Sequence, residues 1–101
     1  MAAYVIMVRD KLTDPEAFAT YGKMAREARG DAPPKPLAFY GAVETLEGLE
    51  AEGAVLLEFP TMEAAKAWYQ SPGYQAALPY RLKGAEYRVI LVQGVEPPPA
   101  A

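Results

Sequence analysis

Two kinds of hydrophobic pattern alternate along the chain. Short apolar runs rich in β-branched residues, which are typical of strands, lie at residues 4–8, 37–46, 54–59 and 87–95. Apolar positions at helical spacing follow the first run and the third run. The order strand, helix, strand, strand, helix, strand predicts an α+β domain of the ferredoxin-like split βαβ type, with helices on one face of a four-stranded antiparallel sheet.

The first helix is predicted to run from Pro15 to about Gly30. Either Thr13 or Asp14 can accept hydrogen bonds from its free backbone amides. Pro15 suits the first turn, and Glu16 can complete a capping box with Thr13. These signals together place the start of the helix.

The second helical region contains a break. Thr61 is predicted to cap it, and residues 71–73 (SPG) interrupt it before residues 74–82 continue helically. Ser71 is predicted to be a helix cap because it precedes Pro72. A role as a nucleophile is disfavoured, because neither a histidine nor an obvious lysine partner could activate it. Pro79 is predicted to kink or shorten the last piece, since proline lacks an amide donor.

Polar and proline-rich segments separate these elements. Residues 31–36 (DAPPKP) predict a stiff loop, and residues 47–53 (EGLEAEG) predict the connection of a hairpin between the second and third strands. We expect one domain over residues 1–95. Residues 96–101, which are mostly proline and alanine, are expected to form a disordered tail.

The predicted strands lack the alternation of a sheet that has one exposed face. In the first strand Val5 and Met7 point to one side and Ile6 and Val8 to the other, so both faces are apolar. Helices can cover only one of them, and an exposed face of roughly 600 Å² would match the largest apolar patches usual on monomers. We therefore expect a homodimer in which two sheets pair face to face.

The composition excludes several classes of function. A net charge of -3 and an isoelectric point near 4.9 provide no basic field for phosphates, so we expect no nucleic-acid partner. Histidine and cysteine are absent, which removes imidazole and thiolate chemistry, the usual zinc sites and the common axial ligands of haem. No apolar run reaches the roughly 20 residues of a membrane-spanning helix, and no signal peptide is recognisable. We expect a cytoplasmic protein with no membrane partner, no metal and no cofactor.

Four sequence motifs carry a resemblance to a known family. They are TDPEAFATY from Thr13, VETLEG from Val43, EFPTMEAAKAWYQSPGYQAALPYR from Glu58 and VILVQG from Val89. Taken together they resemble the bacterial family of domain of unknown function 1330, within the dimeric α/β-barrel superfamily. The resemblance implies a ferredoxin-like fold and a dimer whose two sheets form a barrel. It implies no particular activity, because the superfamily includes monooxygenases, isomerases and haem-degrading enzymes.

The chain departs from this family at one place in the second strand. Relatives commonly have an arginine followed by paired glycines there, whereas this chain has Phe39, Tyr40 and Gly41. No role of that arginine is therefore carried over.

Aromatic residues at helical spacing are the first candidates for a site. Trp68, Tyr69 and Tyr74, together with Tyr21 and Tyr40, could line a pocket between the helices and the sheet and hold a flat aromatic ligand by stacking. Packing in the core is the alternative role of these side chains.

Two charged residues are further candidates. Arg81 could anchor a carboxylate or enolate of a substrate, or it could form an ion pair with a nearby acid. Strand alternation places Glu58 with Leu56 on the face predicted to meet the partner subunit, where burial would raise its pKa and make it a base. A salt bridge from Glu58 to Arg9 or Arg88 is the alternative.

A set of glutamates crowds the predicted hairpin connection, comprising Glu44, Glu47, Glu50 and Glu52. They could hold a hard cation weakly, but a solvated charged loop is the simpler interpretation.

The sequence thus favours a small cytoplasmic homodimer that binds an aromatic or acidic metabolite between sheet and helices. A cofactor-independent monooxygenase or isomerase, with Glu58 and Arg81 as candidate catalytic residues, is the first alternative. A non-catalytic interaction module is the second.

Overall fold

The computed structural model of the protein describes residues 1–28 and 33–95, and this part of the chain forms four strands and three helices. Their bounds are β1 Ala3–Leu12, α1 Pro15–Glu27, β2 Lys35–Phe39, β3 Gly53–Phe59, α2 Met62–Gln70, α3 Pro72–Gly84 and β4 Ala85–Gln93. The strands are antiparallel and lie in the order β2-β3-β1-β4. The predicted α+β, ferredoxin-like architecture is confirmed.

Alternation along the strands divides the sheet into a helix side and an open side. Val5 and Met7 of β1 are buried against the helices, and they pair with Leu57 and Val55 of β3. Ile6 between them faces the open side, where Leu56 and Ile90 flank it on the neighbouring strands. The helix side holds the core, as predicted, and the open side is apolar too.

The start of α1 differs by one residue from the predicted capping box. Asp14 is the N-cap, and its side chain accepts hydrogen bonds from the amides of Glu16 at 3.1 Å and Ala17 at 3.2 Å. The hydroxyl of Thr13 instead donates to the carbonyl of Lys83 at 2.8 Å. The capping box between Thr13 and Glu16 was wrong because a tertiary contact engages the Thr13 side chain. Gly30, the predicted end of α1, lies outside the described residues, and the helix ends at Glu27.

Thr61 and Ser71 cap the second helical region as predicted. The Thr61 hydroxyl accepts a hydrogen bond from the Ala64 amide at 3.0 Å, and Ser71 both ends α2 and begins α3. Of the two predicted effects of Pro79, the shortening of the last helix is wrong, because α3 continues through it to Gly84, and the kink stays a prediction. Pro79 is exposed, so its ring lies on the solvent side of the helix.

The second strand lies earlier in the chain than predicted. It begins at Lys35 and ends at Phe39, whereas the hydrophobic pattern placed it at residues 37–46. Pro36 is tolerated because β2 is an edge strand, where one missing donor leaves no partner unpaired. The hairpin with β3 is confirmed, but its connection spans residues 40–52.

The last predicted strand, the predicted tail and the predicted stiff loop are described by the structure to different extents. β4 begins at Ala85, two residues before the predicted start, and ends at Gln93. The predicted tail at residues 96–101 and part of the predicted stiff loop lie outside the described residues. Within residues 1–28 and 33–95, no helix combines the length and the hydrophobicity needed to cross a membrane.

Gly84 provides a test of how closely α1 and α3 approach. A Cβ atom at this position would lie 2.6 Å from the backbone nitrogen of Phe18 and 2.8 Å from its Cα atom. We expect Gly84→Ala to lower the free energy of unfolding by about 1–3 kcal/mol, because backbone atoms would have to move apart. Urea denaturation measures this change. Gly41→Ala, where nothing lies within 4 Å, is the control, and equal effects of the two substitutions would contradict this account of the packing.

Candidate binding cleft

A cleft of about 640 Å³ lies between α1 and the part of the sheet formed by β1, β2 and β3. Its aromatic lining consists of Phe18, Tyr21, Phe39, Tyr40 and Trp68. The rest of the lining is mainly aliphatic side chains and proline, and Arg26 is the one charged side chain among the described lining residues. The cleft is therefore an apolar site with aromatic walls.

Regular structure on both sides positions these walls. Phe18, Tyr21 and Ala25 of α1 recur at helical spacing and face the sheet, where Met7 and Val55 pair across β1 and β3. On α2, the Trp68 indole nitrogen donates a hydrogen bond to the carbonyl of Ala28 at 3.1 Å. This bond joins α2 to the C-terminal end of α1 at one end of the cleft.

Tyr40 has the only positive φ angle of a non-glycine residue in the described chain, at 53°. This conformation is uncommon for a bulky residue and ends β2. The Tyr40 amide donates to the carbonyl of Ala54 at 2.9 Å, and the ring packs against Gly53, whose absent Cβ would lie 3.0 Å from Tyr40 Cδ1. The Tyr40 hydroxyl forms a hydrogen bond with the hydroxyl of Tyr87. The strained backbone thus directs Tyr40 toward the cleft.

A second pair of tyrosines joins α1 to α3. The hydroxyls of Tyr21 and Tyr74 are 3.0 Å apart, and Tyr74 is completely buried. Arg81 Nη1 donates to the Tyr74 hydroxyl at 3.5 Å, and the Arg81 guanidinium lies 5.5 Å from the centroid of the Tyr87 ring. Arg81 therefore links the two pairs of tyrosines.

Arg81 is a buried cation without an acidic neighbour in the described chain. Its side chain is only 6% exposed, and its Nε has no hydrogen-bond partner among the described residues. The ion pairs formed there join Arg9 to Glu52, Lys83 to Asp14 and Arg88 to Asp10. The ion pair predicted for Arg81 as an alternative is not among them.

A second arginine approaches the cleft from the strand side. The Arg9 guanidinium lies 5.1 Å from the centroid of the Phe18 ring and 5.3 Å from that of Tyr40. Its Nε is 3.7 Å from a carboxylate oxygen of Glu52, which is too long for a hydrogen bond, and Arg9 Nε is the other buried donor without a partner in the described chain. The electrostatic environment behind the aromatic walls is therefore positive.

Burial dominates the acid-base behaviour of the four tyrosines. It raises the pKa of Tyr21, Tyr40, Tyr74 and Tyr87 above the ordinary value, because the charged phenolate loses hydration. The positive charge of Arg81 opposes this effect at all four. These hydroxyls stay protonated at neutral pH, so they act as hydrogen-bond donors and acceptors rather than as bases.

The predicted site residues occupy three positions. Tyr21, Tyr40 and Trp68 line the cleft, whereas Tyr74 and Arg81 lie behind it. Tyr74 contacts the wall through the Tyr21 hydroxyl and through the Trp68 ring, whose centroid is 4.4 Å from its own. Tyr69 is not among the lining residues, and its ring centroid lies 5.3 Å from that of Tyr74. Glu58 lies on the open side of the sheet, as its alternation with Leu56 predicted. The geometry therefore brings five of the candidates together and separates Glu58 from them.

Glu58 forms neither of the salt bridges considered from the sequence. Arg9 contacts Glu52, and Arg88 donates to the carboxylate of Asp10 at 2.9 Å and 3.1 Å. In the register of the sheet, Glu58 lies opposite Tyr4 of β1 and Lys35 of β2. Of the glutamates in the hairpin connection, Glu52 accepts a hydrogen bond from the Leu12 amide at 2.8 Å. No group of three or more side chains with metal-binding atoms was found in residues 1–28 and 33–95.

Sequence reasoning missed several residues of the cleft. Phe18 precedes Tyr21 by three positions, so its helical spacing could have identified it as a wall residue. Arg26 follows on the same helix and lies at the edge of the cleft. Phe39 could not be assigned, because its orientation depends on a shift in the pairing of β2 with β3 after Pro36.

A model of the family described as domain of unknown function 1330 matches residues 2–95. The chain belongs to this family. A comparison with curated proteins finds no match.

Three solved structures place this member of the 1330 family among ferredoxin-like proteins. A Rhodopseudomonas palustris protein of unknown function is 17% identical with a TM-score of 0.68, over 95% of this chain and 84% of that chain. A protein from Thermobifida fusca, described as dimeric, ferredoxin-like and of unknown function, is 14% identical with a TM-score of 0.63, over 90% and 89%. A cofactor-independent oxygenase from Streptomyces nogalater is 9% identical with a TM-score of 0.60, over 98% and 97%. At these identities the similarity establishes the fold.

The raised pKa values of the buried tyrosines predict alkaline instability. A tyrosine with a raised folded-state pKa contributes stability that is complete below about pH 10 and is lost as the pH rises toward the folded-state value. Each such tyrosine lowers the free energy of unfolding by up to about 1.4 kcal/mol per pH unit in that range. Urea denaturation at a series of pH values measures the slope. We expect a shallower slope for Tyr21→Phe, with Tyr80→Phe on the exposed side of α3 as the matched control.

The same slope for Tyr21→Phe and the unsubstituted protein would contradict this assignment. The ultraviolet absorbance of tyrosinate provides a second measurement. For the four tyrosines with raised pKa values, this absorbance should rise over the same pH range in which the protein unfolds.

Proposed function

We propose that the protein binds a flat aromatic metabolite in the cleft between α1 and the sheet. The observation that carries this proposal is the combination of a volume of about 640 Å³ with five aromatic side chains in the wall. Ligand sites commonly have volumes of roughly 300–1,000 Å³, mostly apolar walls and few polar groups. Aromatic rings in such walls favour planar ligands, because offset or edge-to-face contacts add to the area that is buried.

The chemistry of the cleft favours binding over catalysis. Its described lining includes no carboxylate, and its tyrosines have raised pKa values, so a general base is lacking. Glu58, the acid proposed from the sequence, lies on the other side of the sheet. Arg26 and the tyrosine hydroxyls can orient a ligand but cannot by themselves remove a proton at neutral pH.

A cofactor-independent oxygenase is the second candidate. Its support is the shared fold with the Streptomyces nogalater oxygenase and with a protein described as an antibiotic biosynthesis monooxygenase, which is 16% identical with a TM-score of 0.51. An isomerase would use the same tyrosines and Arg81 to stabilise negative charge on the substrate. Either enzyme would convert the bound aromatic compound, so product analysis after incubation in air distinguishes both from a binding protein. A pure interaction module has less support, because a protein of that kind does not need an open cleft.

We also propose that the protein is a homodimer whose two sheets face each other. On the open side, Ile90 is 57% and Val92 is 44% exposed, next to Ile6 and Leu56. Covering such a face removes apolar surface from water, which stabilises the dimer by about 25 cal/mol for each Å² that is buried. The Thermobifida fusca structure and another from Bacteroides fragilis are both described as dimeric with a ferredoxin-like fold. Glu58 would then lie at the interface between the sheets.

Filling the cleft tests the proposed ligand site. Ala25 of α1 lines the cleft, so Ala25→Trp should occupy it and weaken the binding of a two-ring aromatic probe such as 2-naphthoate by more than about tenfold, equivalent to 1.4 kcal/mol. Isothermal titration calorimetry measures the affinity. Ala67→Trp, on the exposed side of α2, should bind as the unsubstituted protein does. No binding of any aromatic probe to the unsubstituted protein, or equal binding to Ala25→Trp, would refute the site.

A charge in the middle of the open face tests the dimer. Ile6→Glu should convert the dimer to monomers, because two carboxylates would be buried without partners in the paired sheets. Sedimentation velocity at micromolar concentration measures the assembly, and circular dichroism confirms that the variant is folded. Ala67→Glu is the control for an added surface charge. A folded monomer before any substitution would disprove the dimer.

A further inference from the structure

The interior behind the cleft has more hydrogen-bond donors than acceptors. Each tyrosine pair has two hydroxyl hydrogens, but the bond between the two hydroxyls uses only one of them. One hydrogen therefore remains in the Tyr21–Tyr74 pair and one in the Tyr40–Tyr87 pair, with no acceptor among the described residues. Arg9 and Arg81 each add an Nε donor that has no partner there. Buried donors without acceptors are costly, so this excess is complementary to an oxygen supplied by a ligand.

Arg81 and the burial of Tyr74 together favour one direction of donation within the Tyr21–Tyr74 pair. A guanidinium has only donors, so Tyr74 must accept the hydrogen bond from Arg81 Nη1. If Tyr74 also accepted from Tyr21, its own hydrogen would be buried without an acceptor, since Tyr21 supplies the other oxygen that contacts the Tyr74 hydroxyl in the described chain. Donation from Tyr74 to Tyr21 is therefore the favoured direction. The remaining hydrogen is that of Tyr21, and Tyr21 is the member of this pair that lines the cleft.

The charged side chains around the cleft are positive, so they attract a negatively charged oxygen, as the unpaired hydrogen-bond donors do. Arg26 is in the lining, Arg9 lies behind Phe18 and Tyr40, and Arg81 lies behind Tyr21. Within the described chain the one carboxylate within 4.0 Å of any of these three arginines is that of Glu52, at 3.7 Å from Arg9. Three cations thus surround an apolar cavity with a single acid nearby, which favours a negatively charged guest.

We propose that the ligand carries an anionic oxygen, either a carboxylate or a phenolate, which accepts a hydrogen bond from the Tyr21 hydroxyl. Arg81 acts as a positioning residue, since it orients Tyr74 and through it Tyr21, and its charge strengthens the donor. The aromatic walls hold the ring while the tyrosine pairs select the charged substituent. This inference rests on the proposed function, because it specifies the ligand of the same cleft.

Two probes of the same shape separate charge selection from ring binding. 2-Naphthoate is anionic at neutral pH, and 2-naphthamide has the same rings with a neutral substituent. We expect the unsubstituted protein to bind the naphthoate about tenfold more tightly in calorimetry, as expected for a hydrogen bond to a charged group. Tyr21→Phe keeps the ring and removes the donor, so it should weaken naphthoate binding about tenfold and leave naphthamide binding almost unchanged.

One further variant, with a matched control, tests whether Arg81 acts on the ligand through Tyr74 and Tyr21. Tyr74→Phe interrupts the chain of hydrogen bonds behind Tyr21, so it should also reduce the preference for the anion, although the substituted side chain does not line the cleft. Tyr80→Phe, on the exposed side of α3, should leave both affinities unchanged. Circular dichroism and thermal unfolding verify that each variant is folded before its affinities are compared.

Each result has a distinct meaning. Equal binding of the two probes, or the same loss of both in Tyr21→Phe, overturns the anion selectivity and leaves the aromatic site standing. Failure of both probes to bind the unsubstituted protein overturns the aromatic site and the anion selectivity together. Retention of the preference in Tyr74→Phe overturns the positioning role of Arg81.

Discussion

The sheet has two apolar faces, and the helices of this chain cover one of them. Val5 and Met7 are buried on the helix side, whereas Ile6 between them contributes to a face on which Ile90 is 57% exposed. The coverage on the helix side is itself incomplete, because every residue of the edge strand β2 is exposed. The cleft lies at this uncovered edge, beneath α1. The helices are too few to cover both faces of the sheet and its β2 edge. The uncovered edge therefore forms the proposed ligand site, and the uncovered face forms the proposed dimer interface.

The polar interior behind the cleft is difficult to explain as a source of stability. Taking a guanidinium out of water is expensive, and a single 3.5 Å hydrogen bond to Tyr74 and a contact with the Tyr87 ring return only part of that free energy. A hydrophobic side chain at position 81 would fill the same space without a charge. Tyr40 adds backbone strain through its positive φ angle. Features that lower stability and meet at one cavity are typical of binding sites, where the ligand supplies the missing partner.

The hydrophobic pattern was sufficient for the architecture but not for the cleft. Strand alternation placed Glu58 on the open side, and the caps at Thr61 and Ser71 could be identified from local hydrogen bonding alone. The capping box at Thr13 failed because the carbonyl of Lys83, 70 residues away, takes its hydroxyl. Periodicity cannot report such tertiary competition. The early end of β2 was missed for a similar reason, since the apolar run continues while the backbone turns at Tyr40.

An arginine that acts through two tyrosines gives a different kind of selectivity from one that touches its ligand. Direct contact between a guanidinium and a carboxylate forms two parallel hydrogen bonds, which fix the orientation of the ligand. Here the charge of Arg81 lies behind Tyr74 and Tyr21, and the group that reaches the cleft is a neutral hydroxyl. Such a donor can meet oxygens at several angles, because a hydroxyl hydrogen rotates about its C–O bond. The aromatic walls must then determine which ring enters, while the buried charge favours ring systems that carry a negative oxygen. This division suits a site that accepts a class of related aromatic anions rather than a single compound.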